Sequence, residues 1–443
     1  MLRKYVSSSM VLIVATVLAL IVANSGWREA YEWLWQQPVS FSIGGFNLFS
    51  HGGHPLTLGQ FINDFLMALF FFSVGLEIKR EMLVGELSTV KKALLPIIGA
   101  CGGMLVPVLV FALLCPSDAV SMRGMAIPMA TDIAFSLGVL SMFGSRVPMS
   151  LKIFLAALAV ADDLGGIIVI ALFYATEVSS FYLFMALAVL LVLVAGNKLG
   201  LRAKTFYLAV GLVLWYMLLN SGVHATIAGV ATAFCVPATL TQGSRFHVNN
   251  IRQCVSEFPI FEGTHSHDNR PIVLSDDEIQ LLRSIEVSSD NLISPLQDLE
   301  DDMRYAINFI VIPLFAFASA GVVVNFATLG SDLFSGVGLS VMLGLLIGKV
   351  LGIFSFSWAA IKLGLVTMPA GTTWRAFASV CMLGGIGFTV SMFIATLSYN
   401  DAAMAALLNS AKMGILMGSL LSGCVAYVLL NTFLPKEGGS CEV

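Results

Sequence analysis

The sequence predicts an all-α polytopic membrane protein with twelve transmembrane helices arranged as inverted-topology repeats, the fourth and eleventh helices broken. Composition is the first ground: the 443 residues are 58% hydrophobic and 11% charged, with a mean hydropathy of +0.90, whereas soluble domains are about 25% charged. The second is the recurrence of apolar runs long enough for a hydrocarbon layer of about 30 Å. They fall near 10–24, 59–76, 94–115, 124–143, 153–175, 181–197, 205–219, 223–237, 305–325, 336–361, 376–399 and 403–433. The third is charge asymmetry. With twelve spans and both termini cytoplasmic, Arg3, Lys4, Lys79, Arg80, Lys91, Lys92, Arg146, Lys152, Lys198, Arg202, Lys204, Lys362, Arg375 and Lys436 lie inside, and only Arg28 and Arg123 outside. Adding or deleting one span scrambles that division. The lipid bilayer is the expected partner, with no nucleic-acid partner. The whole chain reads as one membrane domain.

Arg3-Lys4 followed by an apolar stretch resembles a cleaved signal peptide, but removing it leaves an odd span count, so it is read as the first helix. Residues 40–55, with Ile43-Gly44-Gly45-Phe46 and Gly52-Gly53, read as an outer-face β-hairpin or a connecting loop. In the fourth span Pro128 stands one turn before Asp132, and in the eleventh Gly384-Gly385-Ile386-Gly387 places three glycines in four residues. Irregular backbone at membrane depth survives only where protein or a cavity covers it. Interrupted segments in corresponding positions of two halves point to a transporter's binding site. Spans three to five and ten to twelve are candidates for those halves, and an offset of seven spans sets them in opposite directions. The segment from about 238 to 304 differs in character. Residues 237–304 carry 12 of the 27 acids and five basic residues, so a solvated cytoplasmic loop is expected, its His247, Cys254, His265 and His267 lacking a zinc spacing. The seven cysteines read as small core residues.

Charge inside the membrane is where chemistry is expected. One charged residue at the centre of a membrane helix costs about 2.5–3.5 kcal/mol on insertion scales, yet Asp162 and Asp163 stand side by side within the uncharged run 153–175. Like-charge repulsion makes one of them hold a proton and release it when a cation arrives. Neighbours on a helix diverge by about 100°, so one acid faces a cation while the other faces a basic residue. Lys349 in the tenth span is the natural partner, either as a plain neutralising salt bridge or as an ammonium whose bond breaks during exchange. Asp132 is placed to cap exposed amides at the helix break. Asp64 is a further acid of the second span, and Glu77 and Lys412 are assigned nearer the cytoplasmic ends. Glu77-Ile78-Lys79-Arg80-Glu81 puts four charges in five residues, with Glu77, Arg80 and Glu81 on one face. They form either a solvated helix end or a pH-responsive funnel mouth. His224 titrates near neutrality in the ordinary case, though a lone histidine at a helix start is as readily structural.

Six motifs, in chain order, carry a resemblance: Val74-Gly75-Leu76-Glu77-Ile78-Lys79-Arg80-Glu81, Ala130-Thr131-Asp132-Ile133-Ala134-Phe135, Ala161-Asp162-Asp163-Leu164-Gly165-Gly166, Pro313-Leu314-Phe315-Ala316-Phe317-Ala318, Leu346-Ile347-Gly348-Lys349 and Gly385-Ile386-Gly387-Phe388-Thr389. Over nearly its whole length the chain resembles the NhaA-type bacterial sodium/proton antiporters. That family is itself an example of inverted-repeat transporters, so the repeat and the resemblance rest on common ground. The resemblance implies that the broken fourth and eleventh helices cross, and it implies pH-regulated exchange of cytoplasmic Na⁺ or Li⁺ for external H⁺ across a bacterial inner membrane, in a homodimer joined through the hairpin at 40–55, with no cofactor and no enzymatic activity. Charge counting adds that two protons released for one monovalent cation make the exchange electrogenic. It implies Asp163 as principal cation ligand, Asp162 as the partner of Lys349, Thr131 and Asp132 at the helix crossing, and Asp132 with Lys349 offsetting the helix-end dipoles. Glu77, Arg80, Glu81, His224 and Glu300 fall at pH-response positions. The chain departs from the family after the eighth span. There the long acidic insertion puts Gln297 and Asp298 where basic residues are usual, which leaves the form of pH activation open.

An intramembrane aspartyl protease needs carboxylates from separate helices facing each other, and this pair is adjacent on one. An organic-solute symporter needs a roomier polar pocket than the scarce mid-depth Ser, Asn and Gln supply. A channel is disfavoured because proton-exchanging carboxylates suit exchange. No P-loop is present to couple ATP.

Overall fold

The computed structural model describes residues 8–40, 42–43, 46–47, 49–51, 54–116, 118–174, 179–239, 244–258, 274–324, 330, 333–334 and 336–434. Eight helices are long and apolar enough to cross a membrane: Leu58–Leu83, Val90–Leu114, Ser121–Ser141, Met149–Phe173, Ser180–Lys198, Pro295–Ser319, Gly336–Lys362 and Ala405–Phe433. Two bent pairs raise this to ten when each is counted as one span. One is Ser8–Ala23 with Arg28–Gln36, bent by 110°; the other is Trp374–Leu383 with Phe388–Ser398, bent by 45°. The arm Arg28–Gln36 carries Arg28, Glu29 and Glu32 beside the exposed Trp27 and Trp33, a composition suited to a membrane surface. Shorter apolar helices, Lys204–Leu219 and Thr226–Cys235, occupy the seventh and eighth predicted runs. The eighth is only ten residues long, because Gly222 turns at φ +81° and the Ser221 hydroxyl accepts from the Val223 amide at 3.2 Å before the helix starts.

Residues 40–55 hold two short antiparallel pairs, Ser42–Ile43 with Phe46–Asn47 and Ser50–His51 with His54–Pro55. The glycine pairs on which the hairpin expectation rests, Gly44-Gly45 and Gly52-Gly53, lie outside the described residues. The polar insertion is more ordered than a loop. Helices Ser244–Glu257 and Asp276–Leu292 pack together, and the Asn250 side-chain amide donates to Ser284 and Ser288 at 3.1 and 2.8 Å. A reciprocal cap between Ser275 and Glu278 starts the second of them, with acids in its first turn where the helix dipole favours them. His265 and His267 fall outside the described residues. Of the cysteines, Cys115, Cys235, Cys254 and Cys381 are buried, but Cys101 and Cys424 lie exposed. A membrane-facing surface is itself apolar, so apolarity alone does not send a side chain to the core.

Helix Val90–Leu114 packs most intimately against Gly336–Lys362. A methyl group on Gly352 would run into the Gly102 carbonyl, and one on Gly102 into the Gly352 carbonyl, which is the close backbone approach that small residues permit in membranes. One turn away, the same contact fixes Lys349. Two apolar clusters flank the broken segments. One joins Ile127 and Met129, before the first break, to Phe388 and Phe393, after the second. The other joins Leu140, after the first, to Phe377 and Leu383, before the second. Gly352→Val is expected to lower unfolding stability by about 1–3 kcal/mol through overpacking, whereas Gly166→Ala, where the added carbon meets nothing, should change it by no more than about 1 kcal/mol. Thermal unfolding of the detergent-solubilised variants measures the difference.

Candidate functional site

Pro128 lies in a 3-10 helix, Ser121–Met129, after which Ala130 is extended and Asp132 caps the helix Ile133–Ser141. Opposite it, Trp374–Leu383 gives way at Gly384–Gly387 before Phe388–Ser398 begins. A side chain on Gly387 would collide with the Ala130 carbonyl oxygen, 2.7 Å from its Cβ position. The two interruptions satisfy each other. The Asp132 amide donates to the Ile386 carbonyl at 2.6 Å, the Thr131 hydroxyl to Gly384 at 3.0 Å, Ser136 to Leu383 at 2.8 Å and Ser391 to Ile127 at 2.8 Å. Asp132 serves both segments: Oδ1 accepts from the Phe135 amide at 3.1 Å, and Oδ2 from the Thr389 amide and hydroxyl at 3.1 and 2.6 Å. Its carboxylate thus sits at two helix N-termini, where negative charge is stabilised.

Asp162 and Asp163 lie buried near the middle of Met149–Phe173. Their divergence by one helical step separates their surroundings. Asp162 Oδ2 is 2.6 Å from Lys349 Nζ, and the lysine is fully buried. Lys349 also donates to the carbonyl of Met129, the last residue of the 3-10 segment. A π-helical turn, Gly344–Gly348, leads directly into Lys349; such turns recur at functional positions. Asp163 Oδ2 is buried without a hydrogen-bond partner among the described residues, as is Asp162 Oδ1. Asp163 faces a cavity of about 500 Å³ that it shares with Thr131, Asp132, Glu77, Glu300 and Thr389.

Of the remaining predicted residues, Glu77, Glu300, Asp64 and His224 line two cavities, and Arg80 and Glu81 line neither. Glu77 lines the one holding Asp163, together with Glu300 and Arg304. Glu300 accepts from Arg80 and Arg304, at 2.8 and 3.1 Å, and Arg80 also reaches Glu81 at 3.1 Å. His224 is not with them. It lines a second cavity of about 400 Å³ with Asp64, Asn63, Thr396 and Lys412. Lys412 was expected at the end that Glu77 occupies; it instead lies seven residues into Ala405–Phe433, at the end near Asn400, which lines the same cavity. Asp64 belongs to another π-helical turn, Ile62–Leu66, beside the Asn63 amide at 3.5 Å. Asp298 pairs with Lys204 at 2.6 Å, and the Gln297 amide caps onto Ser294 at 3.3 Å.

Over residues 1–430 the sequence matches the family described as Na⁺/H⁺ antiporter 1. The chain belongs to this family. It is 50% identical over 436 residues to the Na⁺/H⁺ antiporter NhaA of Phocaeicola vulgatus, covering 98% of this chain and 95% of the relative. It is 49% identical over 432 residues to the antiporter NhaA of Bacteroides fragilis, covering 98% and 97%. With the antiporter NhaA of Porphyromonas gingivalis it shares 43% over 440 residues, covering 98% and 95%. Like its Na⁺/H⁺ antiporter 1 relatives in sequence, and with its many apolar helices, it is a multi-pass membrane protein.

Thr389, Thr396 and Asn63 are among the polar groups lining these cavities to which sequence reading assigned no role. Thr389 had a signal, since it is the first hydroxyl after the Gly-rich break. Removing one member of a buried ion pair costs about 3–5 kcal/mol because the other is left unpaired. Asp162→Asn should therefore destabilise the protein by about that amount, and Asp162→Asn combined with Lys349→Met should recover most of it, as measured by thermal unfolding.

Proposed function

We propose that the chain is an electrogenic Na⁺/H⁺ antiporter of a bacterial inner membrane. It exchanges cytoplasmic Na⁺ or Li⁺ for external protons under pH control. The observation that carries this reading is Asp163: a buried carboxylate with one unpartnered oxygen facing a polar cavity, next to a second carboxylate already held by an ammonium. Its family membership and the names of its relatives support the substrates. In this reading Asp163 holds the cation, with Thr131 and Asp132 at the crossing. Asp162 holds Lys349 between cations, and Asp132 and Lys349 offset the helix-end dipoles. Two protons exchanged for one monovalent cation carry net charge inward. An inside-negative potential drives such a cycle by about 2.3 kcal/mol per charge per 100 mV. No substrate bond is made or broken, so the protein is not an enzyme.

The architecture proposed is twelve spans with both termini cytoplasmic, the short helices and bent pairs each counted as one. Inverted repeats are supported by the order of the crossing contacts: Ile127 meets Ser391 and Ser136 meets Leu383, so the segments run oppositely. The cavity of Asp163 then opens to the cytoplasm and that of Asp64 to the outside. Glu77, Arg80, Glu81 and Glu300 form the pH-responsive cytoplasmic mouth, and His224 acts from the outer cavity. The insertion at 238–304 is cytoplasmic. Two copies join through residues 40–55 on the outer face.

In everted vesicles, Na⁺ should dissipate a preformed proton gradient for the wild type and not for Asp163→Asn; normal exchange by the variant removes Asp163 from the site. Added Na⁺ should also drive charge movement in reconstituted protein. Electroneutral exchange overturns the two-for-one count while sparing the ligand assignment. Glu300→Gln should shift the pH of half-maximal exchange without abolishing it, and an unmoved profile takes Glu300 out of the pH response.

A further inference from the structure

A third cavity among the described residues holds neither Asp163 nor Asp64. It is a groove of about 1020 Å³ between helices Val90–Leu114 and Met149–Phe173, floored by the segment Ser121–Met129. Met104, Met122, Met125 and Met129 line it, flexible and polarisable side chains that adapt to an irregular apolar guest. Its rims are the exposed Leu105, Ile168 and Phe173, so it opens sideways along surfaces that face hydrocarbon. From Gly165 to Phe173 it runs roughly 12 Å along the helix axis, close to the depth of one leaflet in a hydrocarbon layer of about 30 Å.

One end of the groove is polar. Arg123 lines it with Asn400 and Tyr174, and Tyr174 ties the end together by donating to the Arg123 carbonyl at 2.9 Å and accepting from Ser398 at 3.0 Å. Arg123 is an exposed residue. On the proposed topology Arg123 and Arg28 are the two basic residues of the outer loops. Arg28 is neutralised by Glu32 at 2.7 Å, whereas Arg123 makes no ion pair among the described residues. A guanidinium presents its donors in a fork that matches phosphate oxygens.

We propose that this groove binds one anionic phospholipid of the outer leaflet, an acyl chain lying along the methionine wall and the phosphate seated on Arg123. The leaflet rests on the proposed topology; the juxtaposition of apolar groove and unpaired cation does not. A bound lipid would touch the helix of Asp162 and Asp163 at Gly165, and its headgroup end shares Tyr174, His224 and Asn400 with the outer cavity.

The test uses the full-length protein, delipidated in detergent and titrated with phosphatidylglycerol or phosphatidylcholine of identical acyl chains, with retention read by native mass spectrometry. A preference of about fivefold for phosphatidylglycerol is expected, the worth of one basic residue at a membrane surface. Arg123→Gln should abolish the preference and Arg123→Lys should keep part of it. Ile168→Trp, filling the groove from its exposed rim, should lower retention of both lipids. Wild type without headgroup preference, or a preference unchanged in Arg123→Gln, overturns the proposal. So does full competition by glycerol phosphate, which would make the site one for a free anion. Asp163→Asn should retain lipid like the wild type, so a failed transport reading and a failed lipid reading are told apart.

Discussion

Backbone amides and carbonyls at membrane depth must find partners inside the protein, and the crossing of the two interrupted segments is how this chain meets that requirement. Each break supplies what the other lacks. The Asp132 amide takes the Ile386 carbonyl, Thr131 takes Gly384, and the Asp132 carboxylate satisfies the Thr389 amide. Lys349 belongs to the same construction, because one ammonium binds both the Met129 carbonyl and Asp162. Three elements, Met149–Phe173, Gly336–Lys362 and the first broken segment, are therefore tied by a single charge. A buried ion pair gives little net stability against an apolar substitute. Here it fixes relative position, and leaves Asp163 as the carboxylate of the two that faces the cavity without an ion-pair partner.

The central site was largely legible because its cues are violations of membrane composition. Two adjacent acids, a lone lysine, a proline and a cluster of glycines stand out against apolar sequence, and helical geometry says that neighbouring acids must diverge. The sides of the membrane were harder to read. His224 and Lys412 sit with Asp64, away from Glu77, and nothing in their local sequence says which cavity they line. The polarity of the insertion suggests a loop and hides an amphipathic pairing whose contacts, Asn250 to Ser284 and Ser288, join residues more than thirty apart. Cys101 and Cys424 lie exposed rather than in the core, because lipid accepts small apolar side chains as readily as protein does. The eighth helix ran short because a left-handed glycine, not hydrophobicity, sets its start.

The departure after the eighth span also acquires a physical sense. Asp298 stands where a basic residue was expected, and it joins Asp302 in holding Lys204, each at 2.6 Å. Arg202 donates to the Ile293 carbonyl at 3.0 Å nearby. The helix bearing Glu300 is thus fastened at its start to the beginning of Lys204–Leu219. The acid makes a fixed attachment here, and the Arg80–Glu300–Arg304 group is presented on a braced helix end. These pairs are partly exposed, so each contributes little alone.

The π-helical turn Gly344–Gly348 sets the angular phase of the ion pair. Such a turn closes with i→i+5 bonds where an α-helical turn uses i→i+4, inserting a residue without ending the helix. Each residue along an α-helix turns the next by about 100°. Were that extra residue absent, Lys349 would be rotated by about that angle relative to Gly336–Leu343, and its ammonium would no longer address Asp162 and Met129 together. The aim of the charge is thus written into the number of residues in a turn of backbone.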